Sequence, residues 1–239
     1  MDSTLFLQQL VNGLSLGSMY ALIAVGYTMV YGVLRLINFA HGDIMMVGAY
    51  AALFCMTNLN VPFLGALSLA MIFAACVGIA TDRIAYKPLR QTPRISLLIT
   101  AIGISFFLQN LFNMLFTSTP RTFAPPSYFE ESVNFGGVIT TYGSLMVPAL
   151  TFVILITVLW ILYKSKYGIA IRALAFDIQT VNLMGIDANR MIAVVFALGS
   201  ALAAVGGVFW AANYYSVEPT MGTLIGLKAF AAAVLGGIG

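Results

Sequence analysis

Long apolar runs constrain this chain more than any other feature. They occupy residues 5–34, 43–57, 62–81, 95–116, 144–163, 191–212 and 220–239, and most approach the roughly 20 residues that a helix needs to cross bilayer hydrocarbon. None alternates apolar and polar residues with period two, which argues against a membrane β-barrel. Composition agrees: 61% of the 239 residues are apolar and 8% are charged, where soluble domains carry roughly 25% charged. Lipid must therefore be the solvent for much of the surface. The expected fold is all-α: a single polytopic membrane domain over residues 1–239 with about 7 membrane segments. The last run ends at Gly236-Gly237-Ile238-Gly239 with no polar cap, so a further span is expected beyond it.

Asp2 is the only charge before Arg35. The basic n-region of a signal peptide is missing, and the first run reads as a retained span. Orientation follows from Lys and Arg. Residues 82–94 hold Arg83, Lys87, Arg90 and Arg94, and residues 164–190 hold Lys164, Lys166, Arg172 and Arg190. Two spans separate these loops, so both belong on one face, the cytoplasmic one. The segment 117–143 carries Glu130 and Glu131 against Arg121 alone and faces outward. Counting back puts the N-terminus outside. The basic residues lie in loops between spans and offer no nucleic-acid surface. Cys55 and Cys76 lie in apolar runs and read as small core residues.

Gly13-Leu14-Ser15-Leu16-Gly17 matches the G-x-S-x-G nucleophile elbow, which needs a strand–turn–helix setting and His and acid partners. Within an apolar helical run, Gly13 and Gly17 read as a packing face, as do Gly199, Ala203, Gly207 and the pair Gly222, Gly226. No catalytic residue is expected.

Asn38, His41 and Asp43 interrupt the apolar pattern and are candidates for a translocation pathway. One reading is a cytoplasmic turn with Asp43 capping the next span; the other is a broken helix presenting polar groups to a substrate. A lone His and Asp lack the further ligands a metal requires. Gln109, Asn110 and Asn113 put amides on successive turns of one span, with Asn110 and Asn113 sharing a face. They could line a path or join helices. Glu218 opens the last run, and Lys228 lies deeper in it.

The loop 164–190 carries the mechanical signal. Ile171, Leu174, Ile178 and Val181 recur at helical spacing, which predicts one amphipathic helix ended by Gly185, with Asp187 capping the next span. Its apolar stripe suits either anionic lipid or a groove on a cytoplasmic partner. No GxxxxGK[ST] occurs, so an ATP-driven process needs its ATPase from another polypeptide, and no cofactor is expected here.

Three stretches, residues 12–18, 20–32 (Tyr-Ala-Leu-Ile-Ala-Val-Gly-Tyr-Thr-Met-Val-Tyr-Gly) and 37–43 (Ile-Asn-Phe-Ala-His-Gly-Asp), resemble permeases of bacterial branched-chain amino acid ABC importers, LivH type. The similarity continues through residues 83–90, 101–105, 172–177, 184–186 and 228–239. It implies a discontinuous helix near residues 38–43. It also implies a second, related permease subunit, two ATPase subunits that bind the ATP, an external substrate-binding protein, and residence in the bacterial inner membrane. It assigns coupling to the segment containing Arg172, Ala173, Leu174, Ala175, Asp177, Ile178, Val181, Gly185 and Ile186. Urea or short-chain amide permeases share much of this pattern, and an ion-coupled carrier working alone is a further alternative.

Overall fold

The computed structural model describes residues 3–135 and 137–238. At its centre is α9 (Ala188–Tyr214), with 78% of its most apolar stretch buried. Around it pack α1 (Ser3–Leu34), α2 (His41–Asn58) and α3 (Phe63–Thr81). Apolar burial does not drive helices together inside lipid; close van der Waals fit does. The sequence of α9 supplies that fit through Gly199, Ala203, Gly206 and Gly207, all buried. A Cβ on Gly199 would sit 3.1 Å from the Gly26 carbonyl of α1, and one on Gly207 would strike the Met45 carbonyl of α2. The predicted stripe of small residues is therefore a contact face. At Gly13 and Gly17 a Cβ would meet nothing within 4 Å among the described residues, so neither is a contact face there.

α1 ends at Leu34, where Arg35 takes a φ of 51°. α3 continues into a π-helical turn, Asp82–Tyr86, and a 3-10 turn, Lys87–Leu89, that contains Pro88. α4 (Arg94–Phe116) follows Pro93 and stops at Thr117, with φ 66°. The segment after it forms strand β1 (Arg121–Thr122), a single turn α5 (Ser127–Glu130), and a hairpin of β2 (Ser132–Phe135) and β3 (Val138–Thr141). α6 (Tyr142–Lys164) starts on a Thr141 side chain that accepts from Ser144 N. Then come α7 (Lys166–Phe176), α8 (Ile178–Leu183) and α9, followed by β4 (Ser216–Val217) and α10 (Met221–Leu235).

The protein is an all-α polytopic membrane protein, but the expected seven spans are not all present as such. Five helices among the described residues are long and apolar enough to cross a membrane: α1, α3 with its continuation, α4, α6 and α9. α10 has 15 residues, short of a full crossing, and α2 opens on His41-Gly42-Asp43, which lowers its apolarity. The single amphipathic helix expected in the 164–190 loop is two, α7 and α8, parted at Asp177.

Three contacts fix which loops share a face. β1 pairs antiparallel with β4 (Arg121 opposite Val217), and Gln8 Oε1 accepts from Ile139 N at 2.9 Å, so the start of α1 lies with the β2–β3 hairpin. At the other end Arg90 Nη1 donates to Asn189 Oδ1 at 2.6 Å. The parity read from the charges agrees with this arrangement.

A Cβ on Gly78 of α3 would meet the Ser200 side chain and, at 2.9 Å, the Phe196 carbonyl. Gly78→Val should therefore destabilise the bundle by about 1–3 kcal/mol through overpacking. Gly103→Ala, which meets open space on α4, should be neutral or slightly stabilising. Thermal unfolding in detergent checks both, and an unchanged midpoint for Gly78→Val would show that the α3–α9 contact has slack.

Candidate functional site

Residues 35–40 do not form an outlying turn. Leu36, Asn38 and Ala40 are buried, and the His41 side chain fills the space where a Cβ on Gly26 would stand. Gly26 lies eight residues before the end of α1, about 12 Å along a helix rising 1.5 Å per residue. In a hydrocarbon layer about 30 Å thick, that puts His41 well inside. α2 therefore starts within the membrane, which agrees with the discontinuous helix implied by the resemblance. Asp43 does not cap this helix; the N-cap is Ala40, and Asp43 is the third residue of α2, buried.

α10 starts beside it. The two helices touch reciprocally: a Cβ on Gly42 would strike the Gly222 carbonyl, and a Cβ on Gly222 would meet the Gly42 carbonyl at 2.5 Å. Only glycine permits this approach at both positions. The helix starts are thereby brought together, and with them Asp43 and Thr223. Gln109 of α4 spans the two, its Nε2 lying 3.0 Å from Asp43 Oδ1, Ser105 Oγ and Thr223 Oγ1 alike. An amide nitrogen has two hydrogens for these three acceptors, so the cluster is open to rearrangement. Asp43 sits in the first turn of α2, at the positive end of the helix. A cavity of about 210 Å³ adjoins the cluster, lined by Tyr27, Phe39, Ser105, Gln109, Thr223 and Leu227 among others.

The remaining pathway candidates go elsewhere. His41 packs against Tyr27, with ring centroids 4.6 Å apart, and its Nε2 has no partner among the described residues. Asn38 Oδ1 accepts from Tyr86 Oη at 2.7 Å, toward the opposite end of the bundle from β1 and β4. Asn110 is exposed and donates to its own helix at Phe106 O, whereas Asn113 is half-buried. Glu218 opens α10 by accepting Met221 N through its carbonyl. Lys228 is exposed on α10, and neither residue forms an ion pair among the described residues. Sequence reasoning missed Ser105 and Thr223. Ser105 stands one helical turn before Gln109 and was findable by that spacing; Thr223 had no local signal.

The 164–190 segment also differs from expectation. Ile171, Leu174 and Val181 are buried in the chain's own hydrophobic cluster, and Ile178 is half-buried against it. This stripe faces inward and is not available to lipid or to a partner. What projects outward is Phe176, 88% exposed, Leu183, 89%, and Met184, 76%. Arg172 folds back on α6, donating to Leu162 O with its guanidinium 5.0 Å from the Tyr163 ring centroid. Ala173 and Ala175 are half-buried. Asp177 caps α8, accepting from Gln179 N at 2.8 Å and from Thr180 Oγ1, and these bonds hold its carboxyl below the usual range. Gly185 takes φ +83° as predicted. Gly185 N bonds Asn182 O and Ile186 N bonds Val181 O, the paired bonds of a Schellman end. Asp187 caps α9 through Asn189 N and Arg190 N.

A polytopic all-α bundle with a polar cluster at membrane depth and a structured elbow on one face is built as a membrane permease. Residues 9–239 match the family described as branched-chain amino acid transport system / permease component, and the chain belongs to that family. The relatives are transport permeases. The chain is 42% identical to the high-affinity branched-chain amino acid transport system permease protein BraD of Pseudomonas aeruginosa, covering 98% of this chain and 80% of that protein. It is 41% identical to LivH of Salmonella typhimurium over the same shares. A more distant relative, the ribose import permease protein RbsC of Escherichia coli, is 28% identical over 97% of this chain and 70% of that protein. No solved structure is significantly similar to the chain.

Gln109→Leu strands Asp43 without its amide donor and should destabilise the bundle by about 1–3 kcal/mol. Adding Asp43→Leu should recover much of that loss, since both polar partners are then gone. Thermal unfolding of the single and double variants measures the coupling; strict additivity would mean the two side chains do not interact.

Proposed function

We propose that this chain is the permease subunit of an importer for branched-chain amino acids, resident in the bacterial inner membrane and powered by two separate ATPase subunits that bind the ATP. A second, related permease completes the pathway, and an external binding protein delivers substrate. The observation that carries this reading is identity of 41–42% to branched-chain amino acid permeases over 98% of the chain. Arg83, Lys87, Arg90, Arg94, Lys164, Lys166, Arg172 and Arg190 gather on the face where Arg90 meets Asn189. By the positive-inside rule that face is cytoplasmic and the N-terminus is outside.

Substrate passes beside the Asp43–Gln109–Thr223 cluster. A carboxylate held there by neutral donors is suited to the ammonium group of an amino acid, and the apolar walls Phe39 and Leu227 suit an aliphatic side chain. His41, packed on Tyr27, and Asn38, bonded to Tyr86, hold the linker that leads to Asp43. The α7–α8 elbow meets the ATPase. Arg172 and Gly168 fix the elbow to α6, because a Cβ at Gly168 would collide with the Ile161 and Leu162 carbonyls. Asp177, Gly185 and Ile186 set the angle at which Phe176, Leu183 and Met184 are presented. Leu174, Ile178 and Val181 anchor the elbow and do not touch the partner. Two states biased differently by ATP and substrate then exchange by rigid-body motion.

The test is a full importer in proteoliposomes, with ATP inside and labelled leucine outside. ATP-dependent accumulation is expected; its absence with leucine, isoleucine and valine alike would sink the substrate assignment. In the same system, Phe176→Ser and Leu183→Ser should leave the permease folded and lower uptake per ATP by about tenfold. Leu174→Glu should instead reduce the amount of folded permease, because it buries a charge. Normal uptake by both Ser variants would remove the elbow from the ATPase contact.

A further inference from the structure

The cytoplasmic elbow and the buried linker before Asp43 are separate in sequence, yet one short element touches the surroundings of both. It is the π-helical turn Asp82–Tyr86 after α3. π-turns within helices are uncommon and often mark functional positions. Asp82, at its start, is 1% exposed and is paired with Arg90. Arg90 extends the pairing to Asn189 Oδ1 at 2.6 Å. Asn189 is the second residue of α9 and lies two residues beyond Asp187, whose carboxylate caps that helix directly after the elbow. At the other end of the turn, Tyr86 is fully buried and donates to Asn38 Oδ1 at 2.7 Å, inside the linker that leads to His41, Gly42 and Asp43. The Tyr86 ring also lies against Phe196 of α9, with centroids 5.4 Å apart.

We propose that Asp82, Arg90 and Asn189 form a clasp, buried at Asp82 and reaching the surface at Asn189, that through Tyr86 and Asn38 transmits movement of the elbow to the linker beside the polar cluster. These are positioning residues for transport. None of them touches the cavity at Gln109. The inference rests on the coupling role assigned to the elbow above. Three physical features support it. A guanidinium fork holds carboxylate and amide in fixed directions, so motion at Asn189 is passed to Asp82 with little slack. Asp82 is buried and Arg90 is its ion-pair partner, so separating them would leave a buried charge unpaired, and the pair moves as a unit. Two donors at the joint, Arg90 Nε and Asn38 Nδ2, are buried and unpaired among the described residues. A second arrangement that satisfies them gives the joint two states to exchange.

The experiment uses the complete importer in proteoliposomes with Arg90→Lys, Asn189→Ala and Tyr86→Phe, and Phe176→Ser beside them as the elbow control. Arg90→Lys keeps the charge on Asp82 and removes the fork, so folding should survive. The amount of assembled complex and the basal ATP hydrolysis should stay near the parent's. Uptake per ATP should fall by about tenfold in Arg90→Lys and Tyr86→Phe, and less in Asn189→Ala. The proposal is overturned if these variants keep normal uptake per ATP while Phe176→Ser loses it. It is also overturned if uptake falls only in proportion to assembled complex, which is what a merely structural clasp would give. If Phe176→Ser and the clasp variants all transport normally, the coupling role of the elbow fails first and takes the clasp with it.

Discussion

Everything in this bundle depends on how closely two backbones can approach when lipid offers no hydrophobic reward for meeting. At Gly42 and Gly222 that approach reaches its limit, since each carbonyl occupies the place where the other residue's side chain would begin. The contact lets α2 and α10 start side by side inside the membrane instead of at its surface. Their polar first turns, which no lipid-facing helix could tolerate, are thereby covered by each other and by α4. Gly26 serves the same end by making room for His41, and Gly199 lets α9 close against Gly26. A chain of small residues thus sets the depth at which polar chemistry is possible.

That depth gives the polar cluster its character. Asp43 sees a helix N-terminus and neutral donors, and no cation among the described residues. At a protein surface such a carboxylate would be unremarkable. Inside a bundle each of its hydrogen bonds is worth more, because no water competes for the same oxygens. The over-subscribed Gln109 amide makes the cluster exchangeable: a hydrogen bond given up by one acceptor can be replaced by another already within reach.

Much of this was legible in the sequence, and what was not has a definite cause. Periodicity and charge gave the helical class, the relation between loop faces, the Gly199–Ala203–Gly207 face and the ends at Gly185 and Asp187, because each is a local pattern with a local consequence. Span number was harder, since α2 and α10 begin within the bundle, where length and hydropathy stop being reliable guides. Spacing alone does not say which face of a sparsely packed helix points inward; Gln109 meets the bundle through partners 66 and 114 residues away. Gly13 and Gly17 have packing spacing and nothing to pack on, so the motif implied a neighbour that tertiary structure did not supply.

The elbow shows the same limit more sharply. Amphipathicity locates a stripe but not what covers it. The stripe of Ile171, Leu174 and Val181 is covered by the chain itself, and that burial is what makes the elbow useful to a partner. A helix resting on lipid or held only by an ATPase would yield when pushed. Here the apolar face is locked to the bundle, the first helix is pinned to α6 by Arg172, and the last turn runs through a Schellman end into the capped start of α9. The exposed Phe176, Leu183 and Met184 can then act as a handle because the residues behind them cannot give way. Stiffness at the elbow and looseness at Gln109 are thus built from opposite ingredients: a buried apolar stripe with capped ends in one place, and an amide with more acceptors than hydrogens in the other.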